Sequence, residues 1–247
     1  MSIASNLERV QNQIAEACAR AHRDPSTVAL MAVSKMHPAE AVREAYEAGQ
    51  RLFGENRVQE WQTKRAELSD LFALPPSGSS ESTRSPSPAA QAHLIGPLQN
   101  NKTAKAAEIF DAIDTLGSLK TAERLNAAAQ SLSKTLRILI EVKLSPEDTK
   151  HGLAPEDLPT LLNDLAPLTH LIPTGLMTVP PWCGPEDPEP ARPYFRQLRR
   201  LRDQQQPLHP TLTELSMGMS NDFAVAIEEG STTVRIGTAI FGKRTYA

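Results

Sequence analysis

The fold class is clearest in the stretch LRILIEVKL (136–144) and in the two segments after it, LAPEDLPTLLNDLA (153–166) and LIPTGLMTV (171–179). The first and third pieces are apolar runs of strand length, and the middle piece spaces its leucines as a helix does. Pro155 and the two acidic residues that follow it suit the first turn of that helix. A strand, a helix and a second strand in this order predict a parallel βαβ unit.

The same alternation runs outward through the whole chain. An amphipathic helix with Leu7, Val10 and Ile14 on one face comes first, and apolar runs alternate with helical segments after it. The remaining strand candidates are VALMAVSK (28–35), RLFGEN (51–56), AHLIGP (92–97), FDAIDTLG (110–117), TELSMGM (213–219) and TTVRIGTAIFG (232–242). Their continuous apolar character predicts burial on both faces, as in parallel sheets.

Eight such units in 247 residues predict an α/β fold, the (β/α)8 TIM barrel, as a single domain spanning 1–247 with an N-terminal helix. A doubly wound open sheet is the alternative, because closure of a sheet is not visible in local pattern. The segment PPSGSSESTRSPSPAAQ (75–91) contains no Val, Ile, Leu or aromatic residue and predicts a disordered surface loop. A second proline-rich stretch (179–193) predicts another loop.

The amino-acid composition argues against several classes of protein. The 26 basic and 29 acidic side chains give a net charge of −3, so the basic excess typical of nucleic-acid binders is absent. Two cysteines cannot form a disulfide framework, and no histidine pair has metal-ligand spacing. No apolar run approaches the roughly 20 residues of a membrane helix, and the polar N-terminus is not typical of a signal peptide. We therefore expect a cytoplasmic protein that binds neither membranes nor nucleic acids.

In a (β/α)8 barrel the functional residues lie where strands end and loops begin. Lys35 directly follows the apolar run of the first strand. Desolvation there would lower the pKa of its amine and favour Schiff-base chemistry. The alternative is a lysine whose stem packs on the rim while its ammonium group reaches water.

The last two strand ends predict an anion site. Gly218 and Ser220 precede a helix, and Gly237 with Thr238 offers backbone amides with little side-chain obstruction. Loops at these two positions often bind phosphate in this fold. Alternatively, Ser220 only caps the helix and Gly237 only allows close packing.

Two further polar residues need partners. Arg235 lies within the apolar run TTVRIGTAI, where a buried guanidinium requires a carboxylate such as Glu55 or a ligand atom. Asn56 could contact a ligand or cap the following helix. No Walker loop, GxGxxG or GxSxG motif occurs in the chain.

Together these segments resemble a known family. The motifs are AVSK (32–35), FGENRVQE (53–60), HLIGPLQNNK (93–102), LIEVKLSPEDTKHG (139–152), GLMTVP (175–180) and LSMGMSNDFAVAIEEGSTTVRIGTAIFG (215–242). In this order they resemble the YggS/PROSC-type pyridoxal-phosphate homeostasis proteins over nearly the whole chain. That family is similar to the barrel half of alanine racemase, without the second domain of the racemase.

The resemblance implies roles for individual residues. Lys35 matches the lysine that holds pyridoxal 5′-phosphate (PLP) as an internal aldimine. Ser220 with the backbone of Gly237 and Thr238 matches the phosphate cradle, and Arg235 matches the arginine that faces the pyridine nitrogen. The pocket would also be lined by Asn56, Ser216 and Met177.

The resemblance further implies a protein of intracellular PLP (vitamin B6) homeostasis that carries PLP without significant catalysis, with PLP-dependent apoenzymes as candidate partners. One alternative is an amino-acid racemase, which needs a second acid/base group opposite the cofactor lysine. In fold-type III racemases that group is a tyrosine from the second domain, and Tyr46, Tyr194 and Tyr246 all lie outside the strand-end motifs. Another alternative is a class I aldolase in which Lys35 attacks a sugar-phosphate carbonyl.

Overall fold

Eight parallel strands close into a barrel in chain order, because β8 pairs with β1. This computed structural model describes residues 2–72, 89–147, 151–184 and 186–242. The strands are β1 (Ala29–Val33), β2 (Leu52–Glu55), β3 (Gln91–Leu94), β4 (Ala112–Leu116), β5 (Leu136–Glu141), β6 (Leu171–Met177), β7 (Glu214–Ser216) and β8 (Thr233–Ile236). The closed sheet confirms the predicted (β/α)8 barrel and excludes the open doubly wound sheet.

Helices surround the barrel, and an N-terminal helix precedes it as predicted. They are α1 (Ile3–Arg20), α2 (Ala39–Glu47), α3 (Val58–Glu67), α4 (Ser69–Phe72), α5 (Thr103–Ile109), α6 (Leu119–Ser131), α7 (Leu158–Leu165), α8 (Arg192–Gln205), α9 (Phe223–Glu228) and α10 (Thr238–Phe241). Helix α1 begins at a cap in which the Ser2 hydroxyl accepts the Ser5 N–H, and it buries Leu7, Val10 and Ile14. No helix in the described ranges is both long and apolar enough to span a bilayer.

The apolar core lies between the barrel wall and the helices. Along β8, Val234 and Ile236 belong to this core, whereas Arg235 between them lies on the other face of the strand. The same alternation sends His93 and Asp114 away from the apolar cluster, where they contact each other. The inside of the barrel is therefore partly polar, and this polar interior underlies the candidate site.

Several element boundaries differ from the sequence predictions. The last apolar run is not one strand: β8 ends at Ile236, and residues 238–241 form α10, because a short apolar run fits a helix as well as a strand. The helix predicted over 57–71 is broken at Leu68 into α3 and α4. Gln91 begins β3 instead of ending the predicted loop. Residues 75–88 of that loop, and Tyr246, lie outside the described residues.

Candidate functional site

A cavity of about 530 Å³ lies at the carboxyl ends of the strands, within the size range of small-molecule sites. Six of the eight residues predicted to form a site line it: Lys35, Asn56, Ser220, Arg235, Gly237 and Thr238. They come from four separate strand ends of the barrel. The topology therefore brings residues that are far apart in the chain, such as Lys35 and Thr238, into one cavity.

Lys35 follows β1 and is half-buried at the cavity wall. Val33 and Lys35 both line the cavity, whereas Ser34 between them is fully buried and bonds outside it, to Glu55. Up to the end of β1 this is the alternation of a strand, in which every second side chain shares a face. Lys35 itself lies in the turn that follows, where the His37 N–H donates to the Ser34 carbonyl at 3.1 Å. The direction of Lys35 is therefore set by the end of β1 together with this turn.

Arg235 is buried, and two of its nitrogens are held by protein atoms. Nη1 donates to the Ser216 hydroxyl at 2.7 Å, and Nη2 donates to the Thr178 carbonyl at 2.8 Å. Burial lowers the pKa of Arg235, while the charges of Asp114, Asp222 and Glu141 act in the opposite direction. The guanidinium is thus fixed in the cavity wall as a donor-only group.

Of the alternatives considered for Arg235, pairing with a carboxylate such as Glu55 does not occur with Glu55. Glu55 accepts hydrogen bonds from Ser34 and Lys64 on the helix side of β2. Its neighbour Asn56 lines the cavity, so alternation along β2 turns Glu55 away from Arg235. The cap proposed for Asn56 is also wrong, because α3 begins after Arg57 without a side-chain cap.

The turn between β7 and α9 is organised by Asp222. Its Oδ1 accepts the Met219 N–H at 2.5 Å, and its own N–H donates to the Met219 carbonyl at 3.1 Å. Gly218 has φ +95°, and a Cβ there would lie 2.6 Å from that of Ala226, so only glycine fits this turn. Asp222, not Ser220, is the residue before α9, so Ser220 is not the helix cap and lines the cavity instead.

Gly237 and Thr238 form the other junction. Gly237 directly follows β8, and a Cβ at this position would lie 3.2 Å from the Val33 carbonyl oxygen. Absence of a side chain therefore allows β8 to run close beside β1 at the cavity wall. Thr238 is the first residue of α10, and the first amides of a helix have no acceptor within it.

Ser216 and Met177 stand behind the cavity wall. They are paired in register between β6 and β7, and both are buried. Ser216 reaches the site through its hydrogen bond with Arg235. Met177 is not among the residues of the cavity wall, and its carbonyl accepts the Val142 N–H at 2.8 Å.

Four polar or aromatic groups near the cavity had no role predicted from the sequence. Thr178 supplies the carbonyl that holds Arg235, and Trp182, Cys183 and Asp222 line the wall. Burial raises the pKa of the Cys183 thiol, and the nearby Asp222 carboxylate acts in the same direction. Trp182 and Cys183 lie in the proline-rich loop after β6, which gives no strand or helix signal. In the described ranges, no cluster of three potential metal ligands occurs.

The buried pair of His93 and Asp114 lies on the neighbouring strands β3 and β4. Nδ1 of His93 is 3.1 Å from Oδ1 of Asp114. Burial alone would lower the pKa of His93, but the Asp114 carboxylate outweighs this effect and raises the pKa above its usual value. Arg137 lowers this pKa and Asp111 raises it, both to a lesser degree.

This pair predicts a pH dependence of stability. Because the folded pKa of His93 is raised, its contribution is fully present below the unfolded value of about 6.5 and is lost as the pH rises through the folded value. In urea unfolding followed from pH 6 upward, His93→Gln should remove this decline in the free energy of unfolding. The control His209→Gln, in the turn after α8, should keep it. A decline that persists in His93→Gln would contradict the assignment.

The chain is similar to known proteins over nearly its whole length. A family model described as "Alanine racemase, N-terminal domain" matches residues 5–245. A Pseudomonas aeruginosa protein is 42% identical over 248 residues, covering 99% of this chain and 97% of that protein. An Aquifex aeolicus protein is 40% identical over the full length of both chains. Each of these two relatives is named "Pyridoxal phosphate homeostasis protein".

The chain belongs to the pyridoxal phosphate homeostasis protein family. A solved member, PipY of Synechococcus elongatus with PLP bound, is 40% identical, with a TM-score of 0.79, and covers 98% of this chain and 100% of that one. An alanine racemase of Clostridium difficile is 14% identical with a TM-score of 0.70, which shows a shared fold. The match covers 99% of this chain but 57% of the racemase, so the racemase has a large additional part.

Proposed function

We propose that this chain binds PLP in the cavity at the carboxyl ends of the strands, and that it stores and delivers PLP without turning over a substrate. One observation carries the proposal: the amine-bearing Lys35 shares a single cavity with the β7–α9 and β8–α10 junctions. The PLP bound to PipY and the names of the relatives support it.

The donors present fit this ligand. PLP, when bound, supplies an aldehyde that condenses reversibly with amines. Lys35 would provide the amine for attachment. The hydroxyls of Ser220 and Thr238 and the amides of the β8–α10 junction would hold the phosphate, because unpaired N–H groups at a helix start favour anions.

Arg235 would orient the ring. Its guanidinium is held by Ser216 and Thr178, so it can donate to an aromatic nitrogen without moving. An arginine is a donor only and does not hand over its proton at ordinary pH. A ring nitrogen that receives a hydrogen bond but no proton withdraws electrons less strongly, which suits storage better than catalysis.

Delivery can be tested with a phosphatase that destroys free PLP. The loaded protein is mixed with the apo form of a PLP-dependent enzyme in the presence of the phosphatase, and recovery of enzyme activity is followed. We expect recovery from the loaded protein where an equal amount of free PLP fails. Lys35→Ala, loaded in the same way, should protect PLP less well. Equal failure of the loaded protein and free PLP would contradict delivery.

A further inference from the structure

A buried group of charged residues lies behind Lys35, on the helix side of β1 and β2. Lys64 of α3 is nearly fully buried, and its ammonium group has three acceptors. These are the Ser34 carbonyl at 2.8 Å, Glu55 Oε1 at 2.8 Å and Glu60 Oε1 at 2.7 Å. We call Glu55, Glu60 and Lys64 the charged clamp.

The charged clamp forms hydrogen bonds with both chain neighbours of Lys35, Ser34 and Met36. The Ser34 hydroxyl donates to Glu55 Oε1 at 2.7 Å, and Lys64 holds the Ser34 carbonyl. The Met36 N–H donates to Glu60 Oε1 at 2.5 Å. Met36 has φ +62°, a left-handed conformation that costs a residue with a side chain about 1–2 kcal/mol. The backbone is therefore fixed immediately before and immediately after Lys35.

We propose that Glu55, Glu60 and Lys64 are positioning residues that aim the Lys35 amine into the cavity. This inference rests on the proposed function, because it concerns attachment of PLP to Lys35. The physical reason is the position of the turn that follows β1: a shift by one residue along the strand would bring Ser34 to the cavity side and move Lys35 out of its place in the turn, where the His37 N–H donates to the Ser34 carbonyl at 3.1 Å. The clamp opposes that shift by holding Ser34 on the outside.

A purely packing role does not explain this choice of residues. Apolar side chains of similar size usually stabilise a buried position as well as an ion pair does, because both charges lose their hydration. Glu55 Oε2 is buried and has no hydrogen-bond partner among the described residues, which is a further cost. What the charges provide is directional bonds to the two residues that flank Lys35.

The test separates attachment from binding. Pyridoxine 5′-phosphate has the ring and phosphate but no aldehyde, so its dissociation constant reports the cavity alone. Attachment of PLP to Lys35 is timed by borohydride quenching and peptide mass mapping. In Lys64→Met, attachment should slow roughly ten- to hundredfold, because small misplacement of a reacting group has effects of this size. The dissociation constant of pyridoxine 5′-phosphate should change less than about threefold.

Two variants keep the test decisive if Lys64→Met fails to fold. Glu55→Gln combined with Lys64→Met removes the two most buried charges of the clamp and leaves only the partly exposed Glu60 carboxylate. Ser34→Ala removes the hydrogen bond from the Ser34 hydroxyl to Glu55 and leaves the charges in place. Each should slow attachment more than it weakens binding of pyridoxine 5′-phosphate. The control is Lys105→Met, which removes an exposed lysine paired with Glu108 on α5 and should change neither quantity.

The two measurements distinguish failure of the positioning role from failure of the proposed function. Attachment at the wild-type rate in a folded clamp variant overturns the positioning role. A parallel loss of attachment and of pyridoxine 5′-phosphate binding also overturns it, because it indicates general disruption of the cavity. A wild-type protein that binds neither compound refutes the proposed function itself, whatever the variants do.

Discussion

Replacing Gly96 by alanine should lower the free energy of unfolding by about 3 kcal/mol or more. A Cβ on Gly96 would lie 2.3 Å from the Asn56 carbonyl oxygen and 2.8 Å from the Asn56 Cα. Both are backbone atoms, so no side-chain rotation relieves the overlap. The Gly96 carbonyl also accepts the Thr115 hydroxyl at 2.9 Å, which holds the segment against β4. The end of β2 would therefore have to move.

Thermal unfolding measures this effect directly. For a chain of this size the melting temperature should fall by roughly 6–12 °C, since each kcal/mol corresponds to about 2–4 °C. The matched control is Gly117→Ala, whose added Cβ would meet its nearest neighbour at 3.7 Å. That variant should stay within about 0.5 kcal/mol of the wild type. Equal melting temperatures for the two variants would contradict the described approach of β3 to Asn56.

Amino-acid racemisation by the PLP-loaded protein should be slower than typical enzymes by at least about 10²-fold. Racemisation removes a proton from one face of the α-carbon and returns one to the other, so it needs two positioned acid/base groups. Lys35 can serve as one. Neither Tyr46 nor Tyr194 lines the cavity, and the match with the racemase leaves a large part of that enzyme uncovered.

The assay incubates the loaded protein with L-alanine and other L-amino acids and follows the D-enantiomers by chiral chromatography. Turnover near or above roughly 1 s⁻¹, the low end of ordinary enzymes, would contradict storage without catalysis. The variant Cys183→Ala sharpens the result, because Cys183 is a cavity thiol whose raised pKa keeps it protonated. If slow turnover occurs and disappears in Cys183→Ala, the thiol supplies the second proton.

The features that can be predicted from the sequence are those that depend on residues close together in the chain. Features that depend on residues far apart in the chain cannot be predicted in this way. The strands could be found because each is a short apolar run between helical segments, and the positions of Lys35 and Arg235 follow from those runs. Closure is decided by the pairing of β1 with β8, between residues about 200 positions apart, as in Ala29 with Thr233. No local pattern carries that information.

Errors at the site have equally specific causes. Alternation through Gly54, Glu55 and Asn56 would have placed Glu55 outside the barrel, away from Arg235. Serine is a residue type that commonly caps helices, so Ser220 is a reasonable candidate. In the structure the Met219 N–H donates to Asp222 Oδ1, and α9 begins only after Asp222. The charged clamp required contacts between α3 and both neighbours of Lys35, which sequence spacing alone does not show.

We expect Lys35 to be the residue to which PLP attaches. The most direct measurement is borohydride reduction of the protein incubated with PLP, followed by peptide mass mapping. We expect a visible absorption band that reduction removes and a pyridoxyl group on Lys35, with both lost in Lys35→Ala. A pyridoxyl group found mainly on Lys102 or Lys143, with Lys35 unmodified, would contradict attachment at Lys35.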